Sequence, residues 1–509
     1  MYDVLSSKAD EFISHQEILD TLAQADQQSK DLAYVDSLIE KAAQGKGLDH
    51  REASVLLACD DPQRVEAIFD AARAVKQKYY GNRIVLFAPL YLSNYCVNGC
   101  VYCPYHAQNK TMPRRKLTQA QIAEEVRALQ DMGHKRIAVE LGEHPVQNPI
   151  EYVLESLDTI YSVKHANGSI RRANVNIAAT TVENYRKLKE AEIGTYILFQ
   201  ETYHRETYER LHPTGPKHDY AWHTEAHDRA MEAGIDDVGL GVLFGLEQYR
   251  YEFAGLLMHA EHLEQACGCG PHTISVPRIR RADDIDPDAF DNGVPDDLFA
   301  RIVACIRLAV PYTGMIVSTR ESQDMRERLL DLGVSQISGG SRTSVGGYVE
   351  PDRVGPESVT PAAASGVKAP AAAEAAPPIA PAPAAATVDR HETEQFQVND
   401  ERTLDEVVEW LIGLGCIPSF CTACYRAGRQ GDRFMEVCKD FKIASLCHSN
   451  ALMTLEEYLL DYASDDTRAA GEALIAKEMA GQELRETKTY DKLKDNLRAI
   501  ENGVRDLRF

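Results

Sequence analysis

Six cysteines, in two groups far apart in this chain, have the residue type and spacing for metal chemistry. The first group is Cys96, Cys100 and Cys103, spaced C-x3-C-x2-C; the second is Cys421, Cys424 and Cys447, spaced C-x2-C-x22-C. Each group offers three thiolates, one short of the four that saturate a cubane iron–sulfur cluster. A cubane held by three ligands leaves one iron open to bind a small molecule. Two such sites in one chain imply two linked reactions. The competing chemistry is zinc, which wants four ligands. His106 stands near the first group and His448 beside Cys447, so each triad has a candidate fourth ligand. By spacing alone the second triad reads equally well as a zinc ribbon.

The triads need elements to hold them. Eight short apolar runs follow residue 83: Ile84–Phe87, Arg136–Leu141, Val175–Ala178, Thr195–Phe199, Val238–Leu243, Thr273–Val276, Met315–Ser318 and Val334–Ile337. Continuous apolar runs suit strands buried on both faces of a parallel sheet. Between them lie amphipathic stretches with helix signals. Thr118–Gln121 and Thr180–Glu183 fit capping boxes, and Gly133, Gly194, Gly234 and Gly333 stand where left-handed C-terminal glycines are expected. Eight strand–helix units over this length predict a (β/α)8 TIM barrel, in which active sites sit at the C-terminal ends of strands. The first triad follows the first strand, at that end.

The remaining organisation is a helical extension over 1–80, the barrel over 81–353, an Ala/Pro-rich tether over 354–392 and a mostly helical domain over 393–509. Proline interrupts any alanine helix in the tether, so an extended linker is expected there. In the last segment, Leu404–Leu414 and Glu472–Leu507 are helix candidates.

The formal net charge of −23 argues against a nucleic-acid partner, since phosphate binding needs a basic surface. No apolar stretch is long enough to span a bilayer, and the N-terminus lacks the pattern of a signal peptide. A cytoplasmic protein is expected. There the 12 cysteines stay reduced and clustered ones read as metal ligands.

C-x3-C-x2-C after the first barrel strand resembles the radical S-adenosylmethionine superfamily. The resemblance implies that Cys96, Cys100 and Cys103 hold a 4Fe–4S cluster whose open iron chelates S-adenosylmethionine, and that reductive cleavage yields a 5′-deoxyadenosyl radical. Tyr102 stands where the superfamily places an aromatic against the adenine. Glu140-Leu-Gly-Glu143 is a partial match to its Gly-Gly-Glu turn, with Gly142 and Glu143 as cofactor contacts. Gly241 and Gly245 resemble its glycine-bearing adenine contact, with Gln248 where an acid is common. Ordinary turn chemistry is the alternative for both glycine motifs.

Longer strings narrow the resemblance. Leu86–Cys96, Phe199–Arg205, Gly270–Arg278, Pro311–Ser322 and the run around Cys421 and Cys424 are similar to the tyrosine lyase maturases of iron–iron hydrogenase. The long Ala/Pro tether departs from that family. The resemblance implies cleavage of the Cα–Cβ bond of L-tyrosine to p-cresol and dehydroglycine. The fragment then gives carbon monoxide and cyanide on a second 4Fe–4S cluster at Cys421, Cys424 and Cys447. That cluster carries an additional labile iron, bound by His272 and by a free L-cysteine, and the product is an iron–carbonyl–cyanide synthon. A passage through the barrel interior is required, with the C-terminal domain closing one end.

Ser318 and Arg320 after the seventh strand, with Arg342 after the eighth, are the candidates for binding tyrosine; a surface ion pair of Arg320 with Glu321 is the alternative. Gln200, Glu201, Thr202 and Tyr203 close the fourth strand without an assigned role. Cys59 and Cys305 read as core, Cys267 and Cys269 lie near His272, and Cys416 and Cys438 accompany the second triad. Implied partners are apo-hydrogenase, other maturation proteins and a ferredoxin or flavodoxin. Two other readings remain: a tyrosine lyase (2-iminoacetate synthase) for the thiamine thiazole, and a non-catalytic cluster scaffold.

Overall fold

The computed structural model describes residues 1–349, 393–439 and 442–509. The expected tether at 354–392 lies outside the described residues. Eight parallel strands form the barrel: β1 (Arg83–Ser93), β2 (Arg136–Leu141), β3 (Arg172–Asn176), β4 (Tyr196–Ile197), β5 (Val238–Gly241), β6 (Thr273–Ser275), β7 (Gly314–Val317) and β8 (Gln336–Ser338). Val85, Leu86 and Phe87 of β1 pair with Gln336, Ile337 and Ser338 of β8, which closes the cylinder.

The strands are not apolar on both faces. Ile84, Leu86, Ile137, Val139, Ala173, Val175 and Ile337 are fully buried against the outer helices. Their alternate neighbours face the lumen and include Arg136, Glu140, Arg172, Asn174, Asn176, Gln336 and Ser338. The period of two is the ordinary strand alternation, but here the inner face is polar and the lumen holds cavities. The third strand begins three residues earlier than the apolar run because it opens on Arg172. That guanidinium donates to Asn174 Oδ1 at 2.9 Å and Thr195 Oγ1 at 2.7 Å.

Helix ends follow the expected chemistry with three corrections. Thr118 and Gln121 form a complete capping box, but helix Val182–Glu190 is capped by Thr181, not Thr180. Gly133 and Gly234 take positive φ, whereas Gly333 has φ 174° and the left-handed residue near Gly194 is Glu192. Gly194 is required by close approach instead: a Cβ there would lie 2.3 Å from Asn174 Oδ1.

The N-terminal helices cover one side of the barrel. Asp49 and Glu52 cap Ile-free helix His50–Ala58, and Asp61 caps Pro62–Tyr80 with proline in its first turn. His15–Gln28 and His50–Ala58 pack together, and Pro62–Tyr80 packs on Asp296–Ala309. The last segment is helical as expected, except that Glu472–Leu507 is broken into parts of Asp465–Ala480, Gln482–Arg485 and Tyr490–Glu501.

That segment touches both ends of the barrel. Gln395 N donates to Thr343 O at 3.1 Å and Asn399 N to Thr319 O at 2.8 Å, across the C-terminal mouth. Asp400 then forms a buried ion pair with Arg326. Farther on, β9 (Ile417–Ser419) pairs in parallel with Arg83, Ile84 and Val85 of β1. Val85 has β8 on its other edge, so β9 occupies the β2 side of β1, below the point at Ala88 where β2 begins to pair. The second triad is thereby carried to the floor of the barrel. Among the described residues no helix is long and apolar enough to cross a membrane.

Candidate active site and a second cysteine-lined cavity

The first triad sits in a loop braced by its neighbours. Val97 N donates to Glu143 O at 2.8 Å, Gly99 N to Thr214 O at 2.9 Å and Val101 N to Leu211 O at 3.0 Å. Asn98 Nδ2 donates to Glu143 Oε2 at 2.7 Å, while Asn98 Oδ1 accepts from Lys217 N at 3.0 Å. Cys96, Cys100 and Cys103 line a cavity of about 1070 Å³, mouth included, with Tyr102, Gly142, Glu143, Glu201, Lys217 and Arg320. Burial pushes the Cys100 thiol up, and Cys103 to about 12. A metal binding at Cys100 and Cys103 must displace the protons that burial favours there.

Tyr102 donates its hydroxyl to His212 Nε2 at 2.7 Å, because His212 Nδ1–H is committed to Tyr208 O at 2.7 Å. Burial lowers His212 to about 3, so its ring is neutral. A Cβ on Gly142 would lie 2.5 Å from Tyr95 O and 3.0 Å from Cys96 Cβ, so only glycine lets this turn meet the cysteine loop. Gly241 and Gly245 do not line the cavity. A Cβ on Gly241 would strike the Phe199 ring at 2.4 Å and Gly245 needs φ 113°, so both shape the wall from behind. His106 does not complete a zinc site: Nε2 faces Asp284 at 3.3 Å and Nδ1 faces Gln108 at 3.4 Å.

A second cavity of about 790 Å³ continues into the lumen and shares Glu140, Asn176, Phe199, Arg320, Gln395 and Phe396 with the first. Ser318 and Arg320 line it. Arg320 does not pair with Glu321, whose carboxylate is held by Arg278 and Arg280. The guanidinium lies 3.7 Å over the Phe396 ring instead. Arg342 lines neither cavity; its Nη1 donates to Ser341 O at 3.2 Å. Of the fourth-strand residues, Glu201 reaches the first cavity and pairs with Lys217 at 2.8 Å. Gln200, Thr202 and Tyr203 turn to Thr224, Glu252 and His259 behind it.

Among the lining residues that sequence reasoning left without a role, four bear directly on the chemistry. Glu140 is pushed up to about 8 by burial, against the opposing effects of Arg320 and Asn176. Lys217 faces the triad. Gln395 accepts from the Tyr91 hydroxyl at 2.8 Å, and Phe396 carries Arg320. No periodicity marks 395–396, so no sequence signal pointed to them.

The second triad lines a lower cavity of about 530 Å³ with His272, Arg83, Arg136, Arg172, Gln336, Tyr425 and Phe434. His272 enters it from the turn before β6. A Cβ on Gly270 would fall 1.8 Å from the Tyr312 hydroxyl, so glycine is needed to bring that turn in. The His272 ring packs on Phe434 with centroids 4.4 Å apart. Its Nδ1 lies 3.3 Å from Asp237 but without hydrogen-bond geometry. Burial, against Asp237, lowers His272 to about 4, leaving a neutral imidazole able to bind a metal. His448 does not join the triad; it pairs with Glu478 at 3.1 Å. Cys424 shares its proton with Cys447, which lowers the Cys447 thiol, while burial raises Cys421. Cys59, Cys267, Cys269, Cys305, Cys416 and Cys438 line neither triad cavity.

Gln336 lines both the middle and the lower cavity. The three spaces therefore follow one another along the lumen, with a thiol triad at each end. Among the described residues no three His, Cys, Asp or Glu side chains converge as one metal ion would require. A cubane makes a different demand, because each thiolate binds its own iron. The donor sets suit such a group: three thiols beside the Gly142 cradle above, three thiols and an orphaned imidazole nitrogen below.

Comparisons with known proteins agree with this layout. The family model described as "Radical SAM superfamily" matches residues 90–257, and "Biotin and Thiamin Synthesis associated domain" matches 275–417. A crystal structure of HydG, a maturase of the FeFe-hydrogenase, is 48% identical with a TM-score of 0.87, covering 98% of this chain and 100% of that one. The HydG maturase of Carboxydothermus hydrogenoformans is 35% identical with a TM-score of 0.77, covering 97% and 99%. The 2-iminoacetate synthase of Escherichia coli K12 is 30% identical over 61% of this chain and 81% of that protein.

Proposed function

The chain belongs to the HydG family of FeFe-hydrogenase maturases, radical S-adenosylmethionine enzymes, and we propose that it runs two reactions at the two ends of one barrel. In the upper cavity it cleaves L-tyrosine to p-cresol and dehydroglycine. In the lower cavity the fragment becomes carbon monoxide and cyanide, which leave with iron as a carbonyl–cyanide unit for apo-hydrogenase. The observation that carries this reading is the succession of three lumen cavities between the triads.

Cys96, Cys100 and Cys103 would hold a 4Fe–4S cluster, which with S-adenosylmethionine would supply a radical able to take a hydrogen from the substrate amino group. The protein's part is placement. Arg320 takes the tyrosine carboxylate on the fork of its guanidinium, with Ser318 beside it. Phe396 fixes the plane of that fork, which limits the poses of the amino group. Glu140, uncharged at neutral pH when the cavity is empty, offers a hydrogen-bond donor to the same end of the substrate. Tyr102, anchored on His212, gives the adenine a flat wall. Below, Cys421, Cys424 and Cys447 would hold a second cluster, and His272 with free L-cysteine would hold an additional iron. Cytoplasmic thiol-reducing conditions and a ferredoxin or flavodoxin donor fit these needs.

The test is product analysis without oxygen, with iron-reconstituted enzyme, S-adenosylmethionine, dithionite, L-tyrosine and L-cysteine. Carbon monoxide per p-cresol should be high in the native protein and near zero in a Cys421→Ala/Cys424→Ala variant. p-Cresol without carbon monoxide from fully loaded native enzyme would assign it to the 2-iminoacetate synthase reaction alone. Neither product would leave a scaffold.

A further inference from the structure

Three guanidiniums line the lower cavity, and among the described residues a carboxylate pairs with only one of them. Arg83, Arg136 and Arg172 are the first residues of β1, β2 and β3, three neighbouring strands, and all three line it. Arg136 and Arg172 are direct register partners. Like charges opposite one another destabilise a sheet, and these are only 7% and 2% exposed. Arg172 has its counter-charge in Asp237, at 3.2 Å. Arg83 and Arg136 have no carboxylate partner among the described residues, and the Nε of each is buried without a hydrogen-bond partner.

Arg136 is the one placed to receive a ligand from above. Its Nη2 donates to Cys421 O at 2.9 Å, and its Nη1 reaches only Gln336 Oε1, at 3.4 Å. Gln336 also lines the middle cavity, so the contact stands at the junction of the two spaces. A 3.4 Å neutral contact is weak beside the charge-assisted pairs a guanidinium makes with a carboxylate. Arg83 serves a different neighbour, the Cys447 thiol.

We propose that Arg136, with Gln336 at its edge, is the receptor for the carboxylate of the small α-imino acid arriving from the upper cavity. This rests on the two-reaction reading above. The unpaired guanidinium draws the anion down the lumen and holds it at the second triad, out of contact with water that would hydrolyse the imine.

The experiment compares native enzyme with Arg136→Gln and Arg136→Lys, each matched for iron and sulfide content. p-Cresol, carbon monoxide and glyoxylate are measured in the same vial. Glyoxylate reports escape, since water replaces the imine nitrogen of dehydroglycine and releases it as ammonia. In Arg136→Gln, carbon monoxide per p-cresol should fall at least about tenfold, with glyoxylate rising to match p-cresol; Arg136→Lys, which keeps the charge but not the fork, should fall between. As a readout apart from turnover, glyoxylate titrated calorimetrically into the loaded enzyme should bind at least about tenfold more weakly to Arg136→Gln. If that variant loads less iron, the Lys variant decides by the same ratio. Unchanged ratios and unchanged glyoxylate binding would overturn the proposal. So would weakened binding of L-cysteine alone, which would give the guanidinium to the free amino acid. Absence of p-cresol from native enzyme would instead strike the two-reaction reading.

Discussion

The two triads are built in opposite ways. Cys96, Cys100 and Cys103 come from one loop, stitched by backbone hydrogen bonds to the loops after β2 and around residues 211–214. The lower site draws Arg83, Arg136, Arg172, His272, Gln336, Cys421 and Cys447 from across the chain. The upper site owes its geometry to local covalent structure. The lower one depends on barrel closure and on β9 docking against β1. Disturbing the barrel should therefore damage the second reaction before the first.

The largest separation should come from the ligands themselves. Cys100→Ala should remove p-cresol and carbon monoxide together, by about a thousandfold or more, because no radical forms; p-cresol chromatography checks this. Next comes substrate holding. Arg320→Ala should raise KM for tyrosine by roughly 10- to 100-fold, the loss expected for a charge-assisted pair, and carbon monoxide should fall in proportion to p-cresol. Phe396→Ala keeps the guanidinium but frees its plane, so KM should rise only by about two- to tenfold, in line with a cation–π contact. A Phe396 effect on carbon monoxide alone would contradict its place in the upper cavity.

The smallest expected effect lies outside both sites. His50 is buried between Glu17 and Glu261, at 3.0 and 2.8 Å. Burial opposes its charge, but the Glu261 and Glu17 hydrogen bonds outweigh that and raise its pKa. A raised histidine gives stability that is fully present below its unfolded pKa near 6.5 and is lost as pH rises through the folded value. Hydrogen-exchange protection factors, corrected for the base-catalysed intrinsic rate, should fall in His15–Gln28 and His50–Ala58 from pH 6 to pH 8.5, with little change in the barrel strands.

The contrast also explains what could be read in the sequence. The upper triad was legible because its spacing is local, and the eight strands because outward aliphatics mark each one. Gly142 stands at the first cavity, where its turn pointed, and His272 enters the lower cavity from the Gly-Pro string. The lower arginines carried a signal that went unread: Arg83, Arg136 and Arg172 each open a strand, but the barrel floor gathers them only once β1, β2 and β3 are in register. Gln395 and Phe396 had none, since nothing in a short irregular stretch says it crosses the mouth of a barrel. Arg342, expected at the tyrosine site, lines neither cavity, and its side chain donates to Ser341 O in the turn after β8.

The central claim is that the product of the upper cavity reaches the lower one inside the barrel. It is tested most directly by isotope dilution. Enzyme turning over uniformly carbon-13-labelled tyrosine would be given a large excess of unlabelled glyoxylate and ammonium, which form the same imino acid in solution. Passage through the lumen predicts that the trapped carbon monoxide stays fully labelled at every excess. Label that falls in proportion to the added glyoxylate would show release and recapture, and would contradict the account.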